Sequence, residues 1–227
     1  MFGLADNTGV TNSHNFIYLP VIAADGRTWL NNNLGADYAN MNYAGFNPLQ
    51  QASSQSDYHA FGSLFQFGRK GDGHELINWT NASSSTAVNG VSATKSDAPT
   101  HGMFIKQTTV PYDWRVNANG TLWASETSAN NPCPIGYRIP TAVEALALLA
   151  AENINSTSSA ATSTLKLTCV GYRGFYDATF SYGNITGGSI WTSTPENPNT
   201  LTIYFNSSGA GSGNARANGL TVRCIKD

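Results

Sequence analysis

The chain has 227 residues, of which 41% are hydrophobic and only 11% are charged, and its formal net charge is -2 at pH 7. This composition is sufficient for a sizeable core and excludes the charged, apolar-poor composition of disordered chains. No run of Lys or Arg and no apolar stretch of about 20 residues occurs, so we expect no nucleic-acid partner and no membrane span.

The N-terminal part of the chain predicts an arm, residues 1–20, followed by a single domain, residues 21–227. The arm lacks the basic and apolar regions of a secretory leader, so we expect either that a leader was removed or that the protein reaches its destination by another route. Residues 16–22 predict a strand, the Asp25-Gly26 pair predicts a turn, and residues 27–30 predict the second arm of a hairpin.

Three further elements are predicted before residue 153. Apolar side chains at spacings of three and four predict a short amphipathic helix over residues 58–67, and residues 78–102 predict a surface loop. The clearest helix begins after Thr141, which forms a capping box with Glu144. Its buried stripe is expected to comprise Val143, Leu146, Leu149 and Ala150.

The C-terminal third predicts short strands. Apolar runs separated by Gly, Asn and Pro indicate strands over residues 165–170, 189–193, 201–205 and 220–225. Two helices followed by short strands and long irregular loops predict an α+β domain.

The chain has three cysteines: Cys133, Cys169 and Cys224. An odd number is typical of one bridge plus a spare thiol, with Cys133 and Cys224 as the candidate pair, and three reduced, buried thiols are an equally acceptable interpretation. No CxxC pair is present, so we expect no zinc site.

Motifs of catalysis are missing from the sequence. HExxH, GxSxG and P-loop patterns are absent, and residues 72–75 (Asp-Gly-His-Glu) form the densest polar cluster. This cluster could ligate a metal, but the Asp-Gly pair is explained directly by turn chemistry. We therefore expect no enzymatic activity, no catalytic residue, no metal and no cofactor.

Four segments, taken in order, resemble a known family. They are NPCPIGYRIPT at 131–141, VGYRG at 170–174, IWTST at 190–194 and GLTVRCIKD at 219–227. Their order is similar to that in the Fibrobacter-succinogenes-type major paralogous domain, and residues 25–35 and 65–69 resemble further pieces of it. The resemblance covers residues 21–227 and implies a C-type-lectin-like fold with two helices, short antiparallel strands and long irregular loops.

A subset of these domains are the variable proteins of diversity-generating retroelements, found on viruses and bacterial surfaces. The resemblance implies that residues from about 170 to 222 form a diversified ligand-binding region. Its Tyr, Asn, Ser and Gly content is also typical of a binding surface. The expected ligand-binding residues are Tyr176, Asp177, Tyr182, Asn184, Asn197, Asn199, Thr200, Thr202, Tyr204, Asn206, Asn214 and Asn218.

Alternation sharpens this expectation for one strand. Residues 201, 203 and 205 are apolar, whereas Thr202, Tyr204 and Asn206 alternate with them. A period of two predicts that the polar set shares one exposed face, so that Tyr204 is displayed. The alternative is a Tyr204 folded against its neighbours. Together with Tyr176 and Tyr182, it is expected to be an aromatic anchor.

The function expected from these features is non-enzymatic binding of a protein or glycan ligand on a host or neighbouring cell. The expected location of the protein is the surface of a virion, the cell surface or the outside of the cell. The first alternative is a carbohydrate-binding adhesin of the same fold. Calcium-dependent sugar-binding lectins use a Glu-Pro-Asn or Gln-Pro-Asp triplet, and Pro195–Asn199 has Pro, Glu and Asn in a different order. A calcium site is therefore not expected. A thiol-dependent oxidase using Cys169 and a stalk protein without a ligand are further alternatives. The oligomeric state is left open.

Overall fold

The computed structural model describes residues 15–183, 187–196, 200–206 and 214–227. It contains two α-helices, α1 (Ala142–Ala151) and α2 (Thr157–Thr162), among many short strands. The strands are β1 (Pro20–Ile22), β2 (Thr28–Leu30), β3 (Phe65–Gln66), β4 (Ile77–Asn81), β5 (Ser84–Ala87), β6 (Val91–Ser92), β7 (Phe104–Ile105), β8 (Tyr137–Arg138), β9 (Gly171–Arg173), β10 (Phe180–Tyr182), β11 (Gly188–Pro195), β12 (Thr200–Phe205), β13 (Gly219–Leu220) and β14 (Ile225–Lys226). This mixed architecture confirms the α+β class.

The first sheet joins the two ends of the domain. Its order is β1-β2-β14-β8, so the C-terminal strand lies between the N-terminal hairpin and β8. The β1–β2 hairpin forms at the predicted turn, where Gly26 has a φ of 78° that an L side chain rarely adopts. Phe16 and Tyr18, which precede β1, are buried in the main core, while residues 1–14 of the expected arm lie outside the described ranges.

The second sheet has the order β10-β9-β13-β3, and β11 pairs with β12 as a separate two-stranded ribbon. β9 starts at Gly171, which has a φ of 83° and faces the Ser181 carbonyl so closely that a Cβ could not fit. This is why the VGYRG segment needs glycine there. The strand predicted over residues 165–170 therefore begins later, at Gly171.

Two predictions for the N-terminal half are wrong. Residues 58–67 form a 3₁₀ turn (Tyr58–Ala60) followed by β3, because Gly62 reverses the chain with a φ of 75° against the Leu34 carbonyl. Their apolar side chains are buried in two different clusters, which gives a spacing that only imitates a helix. Residues 78–102 contain most of the β4–β5 hairpin and β6, and the apolar alternation there is limited to Ile77 and Trp79 of β4, opposite a β5 of Ser, Thr and Ala.

The predicted capping box of α1 is confirmed. The Thr141 side chain accepts a hydrogen bond from the Glu144 amide, and the Glu144 carboxylate accepts one from the Thr141 amide. Arg138 then donates two hydrogen bonds to Glu144 at 2.7 and 2.8 Å and one to Asp227 at 2.6 Å. These contacts tie the start of the helix to the C-terminus.

The predicted buried stripe of α1 is wrong except at Leu149. Val143 is 75% exposed, Leu146 is also exposed, and so is Ala150. The buried side chains are Ala142, Ala145, Leu148 and Leu149. Small alanines face the β11–β12 ribbon because they let the helix approach it closely. The sequence of α1 is apolar on most sides of the helix, so the pattern alone does not identify the side that is buried.

Two large clusters form the core. The first is centred on Trp191, whose ring makes edge contacts with the rings of Phe67 and Trp123, and the second joins α1 to the β11–β12 ribbon. Cys133 and Cys224 are joined by a disulfide, as one of the two interpretations predicted, and Cys169 is a free, buried thiol. In the described part of the chain, the longest α-helix has 10 residues, and none is suited to crossing a bilayer.

Candidate ligand-binding surface

The candidate surface is built on the β11–β12 ribbon. Its register pairs Ser189 with Tyr204 and Ile190 with Ile203, so the two faces of the ribbon carry different side chains. Ile190, Ile203 and Phe205 face α1 and are buried. Ser189 and Tyr204 share the opposite face, and both are half-buried.

A depression of about 410 Å³ opens on that opposite face. Its volume lies in the range of about 300–1,000 Å³ that is typical of sites for small ligands. β9, β11, β12 and the segment before β13 supply the walls. The lining residues are Tyr172, Phe175, Ser189, Tyr204, Asn206, Asn214 and Asn218. We call this surface the ribbon depression.

A hydrogen-bond network fixes one wall of the ribbon depression. The Asn218 amide donates to Asn214 Oδ1 at 2.7 Å, and the Asn214 amide donates to Thr202 Oγ1 at 3.0 Å. Asn218 Oδ1 in turn accepts the Phe175 backbone N–H at 2.8 Å. These bonds set the orientation of both amides before any ligand arrives.

The ribbon depression is electrically neutral. None of the seven described residues that line it has a side chain that is charged at neutral pH, and between Asp177 and Arg216 the sequence has a single charged residue, Glu196. No hydrogen bond engages the hydroxyls of Tyr172, Ser189 or Tyr204 within the described ranges. The surface therefore offers aromatic rings, amides and hydroxyls, which bind by hydrogen bonding and ring contact.

The structure brings four of the expected ligand-binding residues together in the ribbon depression: Tyr204, Asn206, Asn214 and Asn218. Tyr204 lies on the polar face of β12, where the alternation places it, and is half-buried, but Thr202 on the same face is only 1% exposed. Thr202 lies opposite Trp191 and is covered by Asn214, because this end of the polar face continues into the main core. Thr200 is also buried, within a ladder to Asn214.

The remaining expected residues lie elsewhere. Tyr176 (59% exposed) and Asp177 occupy the turn between β9 and β10, outside the depression lining. Tyr182 packs its ring against Trp79 of β4, with ring centroids 6.5 Å apart. Asn184, Asn197 and Asn199 lie outside the described residues.

Sequence reasoning did not single out Tyr172, Phe175 and Ser189 as lining residues. Tyr172 belongs to the VGYRG segment, which resembles fixed framework, and Phe175 is an ordinary core residue type. The signal for Ser189 was the hairpin pairing of its strand with residues 201–206, because a residue opposite Tyr204 shares its face.

The polar cluster at residues 72–75 closes a turn. Asp72 accepts the His74 backbone N–H, and the Gln66 N–H donates to His74 Nε2, which places the ring proton on Nδ1, 2.7 Å from Asp72 Oδ1. Although burial opposes ionisation, hydrogen bonds from His74 and Arg69 lower the pKa of Asp72 to about 2.

The same cluster also has the spacing for a cation. Ligand atoms of Asp72, His74 and Glu75 lie within 4.8 Å of one another. A metal would have to displace the Nδ1 proton of His74 and lie beside the Arg69 guanidinium, which donates to Asp72 at 2.8 Å. The hydrogen bonds explain the cluster as a turn-closing element, in line with the structural interpretation of the sequence.

The cysteines are poorly suited to nucleophilic chemistry. Burial raises the pKa of Cys169 to about 11, so its sulfur is a neutral thiol and a weak nucleophile at neutral pH. Cys133 and Cys224 are bonded to each other, so Cys169 is the only free thiol among the three cysteines.

Comparison with protein-family models, curated proteins and solved structures gives no match for this chain.

Proposed function

We propose that this protein is a non-enzymatic ligand-binding protein that uses the ribbon depression for recognition. The observation that carries the proposal is the convergence of β9, β11, β12 and the segment before β13 on one neutral, concave surface. Four residues that the resemblance implies as ligand-binding, Tyr204, Asn206, Asn214 and Asn218, line it together. Concave surfaces with a few oriented polar groups are the usual form of a binding site.

The proposal includes a C-type-lectin-like scaffold, which rests on the motifs quoted above. Their key residues have structural roles that suit a rigid frame. Trp191 donates from its indole to the Phe65 carbonyl at 2.6 Å, and Arg223 donates to the carbonyls of Leu30, Asn31 and Leu165. Trp191 and Arg223 are thus buried residues whose hydrogen bonds join separate segments of the scaffold, and neither lines the depression.

We further propose that the outward side chains of residues from about 170 to 222 are diversified by a retroelement, and that the protein acts on a virion or cell surface. The support is the separation of roles within β12. Ile203 and Phe205 pack against α1, whereas Tyr204 and Asn206 line the depression. Changes confined to the second set would alter recognition and leave the packing with α1 in place.

The experiment is binding of the labelled protein to an array of intact bacterial and archaeal cell envelopes. We expect retention on at least one envelope and a loss of about tenfold or more in the Tyr204→Ala/Asn206→Ala double variant. Tyr43→Phe, a half-buried tyrosine that contacts His59 away from the depression, is the matched control and should bind like the original chain. Absence of retention, or equal retention by the double variant, would refute the proposal.

A further inference from the structure

We infer that the group bound in the ribbon depression is an uncharged sugar residue, held without a metal ion. This inference rests on the proposed function and specifies its ligand. The described lining carries no charge, and its rings, amides and hydroxyls are groups that pack on and hydrogen-bond to a sugar.

Aromatic rings provide the apolar part of the site. Tyr172, Phe175 and Tyr204 all line the depression, and the Phe175 ring is backed by the Tyr112 ring at 4.5 Å between centroids. The C–H face of a pyranose is apolar and flat, so it packs on such rings in the same way as other apolar surfaces do. A ring held by a second ring loses little side-chain entropy when a ligand binds.

The amides provide the polar part. Each carboxamide has two N–H donors and an oxygen with two lone pairs. In Asn214 and Asn218, the network uses one donor and one lone pair of each amide. The half-buried Asn214 keeps one of each for a ligand, whereas Asn218 is only 5% exposed and serves to orient Asn214. Together with the hydroxyls of Tyr172, Ser189 and Tyr204, these groups both donate and accept. Sugar hydroxyls also do both, which makes the two sets complementary.

Charged ligands fit this surface poorly. An acidic sugar, a phosphate or a lysine side chain would lose its hydration and gain no counter-charge from the lining. A calcium ion would find no carboxylate among the lining residues that the structure describes, although calcium prefers several hard oxygen ligands with carboxylates among them. Among the glycans, the lining therefore selects uncharged ones.

The experiment is a glycan array read in EDTA, followed by titration of the best uncharged glycan. We expect binding to uncharged glycans, with an affinity that changes less than about twofold between roughly 0.05 and 0.5 M NaCl, because no ion pair is formed. Tyr204→Ala should weaken the affinity about tenfold or more, and Tyr204→Phe, which keeps the ring, should weaken it less. Tyr43→Phe should not change it.

The outcomes separate this inference from the proposed function. Binding to acidic glycans only, or binding that EDTA abolishes, overturns the inference. The inference is also overturned if the array gives no hits while envelope binding depends on Tyr204 and survives periodate oxidation of the envelope sugars. In that case the proposed function stands, with a protein as the ligand. Loss of envelope binding after periodate supports a sugar. A lack of both glycan and envelope binding overturns both claims.

Discussion

Arg173 and Arg223 are both buried without a carboxylate in ion-pair contact among the described residues, and burial lowers the pKa of each guanidinium, to about 10 and about 9. Their hydrogen bonding differs. Arg223 contacts three backbone carbonyls and Asn33 Oδ1, whereas Arg173 donates once, to Ala178, and leaves Nη1 without a partner. Arg173 instead lies over the Phe104 ring at 4.3 Å.

We therefore expect substitution by methionine to have opposite effects at the two positions. Arg223→Met should lower the free energy of unfolding by about 3–5 kcal/mol, because it leaves several buried acceptors unsatisfied. Arg173→Met should raise it by about 1 kcal/mol, because it removes a buried cation that makes a single hydrogen bond and leaves Nη1 unsatisfied. Urea denaturation measures both, and an Arg173→Met variant as unstable as Arg223→Met would contradict this account.

At the residue scale, the sequence predicts the candidate surface only in part. Alternation correctly separates Ile203 and Phe205 from Tyr204 and Asn206. It cannot show that Thr202, on the same face, is covered by Asn214, because that contact depends on how the chain returns after the ribbon. Period-two patterning identifies faces, whereas exposure along a face is decided by tertiary structure.

At the scale of elements, helix α1 is stabilised by a charge at its first turn. Hydrogen bonds from Arg138 lower the pKa of Glu144 to about 2, from an ordinary value of 4.5. A carboxylate whose pKa is lower in the folded state stabilises the protein above its unfolded pKa, and this stability is lost as the pH falls through the folded pKa. The affected window runs from about pH 4.5 down to about pH 2.

Glu144→Gln tests this contribution, because glutamine keeps one oxygen for the capping bond to Thr141 but loses both the charge and one of the two hydrogen bonds from Arg138. We expect the variant to lose about 1–2 kcal/mol at pH 7, a figure reduced for the partial solvent exposure of the pair. Between pH 4.5 and 2 its stability should fall less steeply than that of the original chain. Parallel stability curves over that range would refute the role assigned to Glu144.

Element predictions succeeded where local chemistry decides the structure and failed where packing does. The capping box at Thr141 and the turn at Gly26 follow from side chains and backbone preferences within a few residues. The 3₁₀ turn at Tyr58–Ala60 and the buried face of α1 depend on contacts with distant segments. Helix α2 was not predicted because its six polar and small residues have no apolar period.

At the scale of the whole molecule, the disulfide joins Cys133 to Cys224 across 91 residues. In the chain-entropy model, closing a loop of this length contributes about 4–5 kcal/mol by restricting the unfolded chain. The Cys133→Ala/Cys224→Ala variant should lose about that amount in thermal or urea unfolding. Cys169→Ala is the control, and a comparable loss there would contradict the assignment of the stabilising effect to the bridge.

The proposed function requires the scaffold and the ribbon depression to be separable. The scaffold depends on buried residues such as Trp191 and Ile203, while Ser189, Tyr204 and Asn206 form a surface that can change.

The most direct test is a display-based mutational scan of residues 170–222 sorted for correct folding. We expect most substitutions to be tolerated at Ser189, Tyr204 and Asn206, and few at Trp191 and Ile203. Equal intolerance at both sets of positions would contradict the central claim.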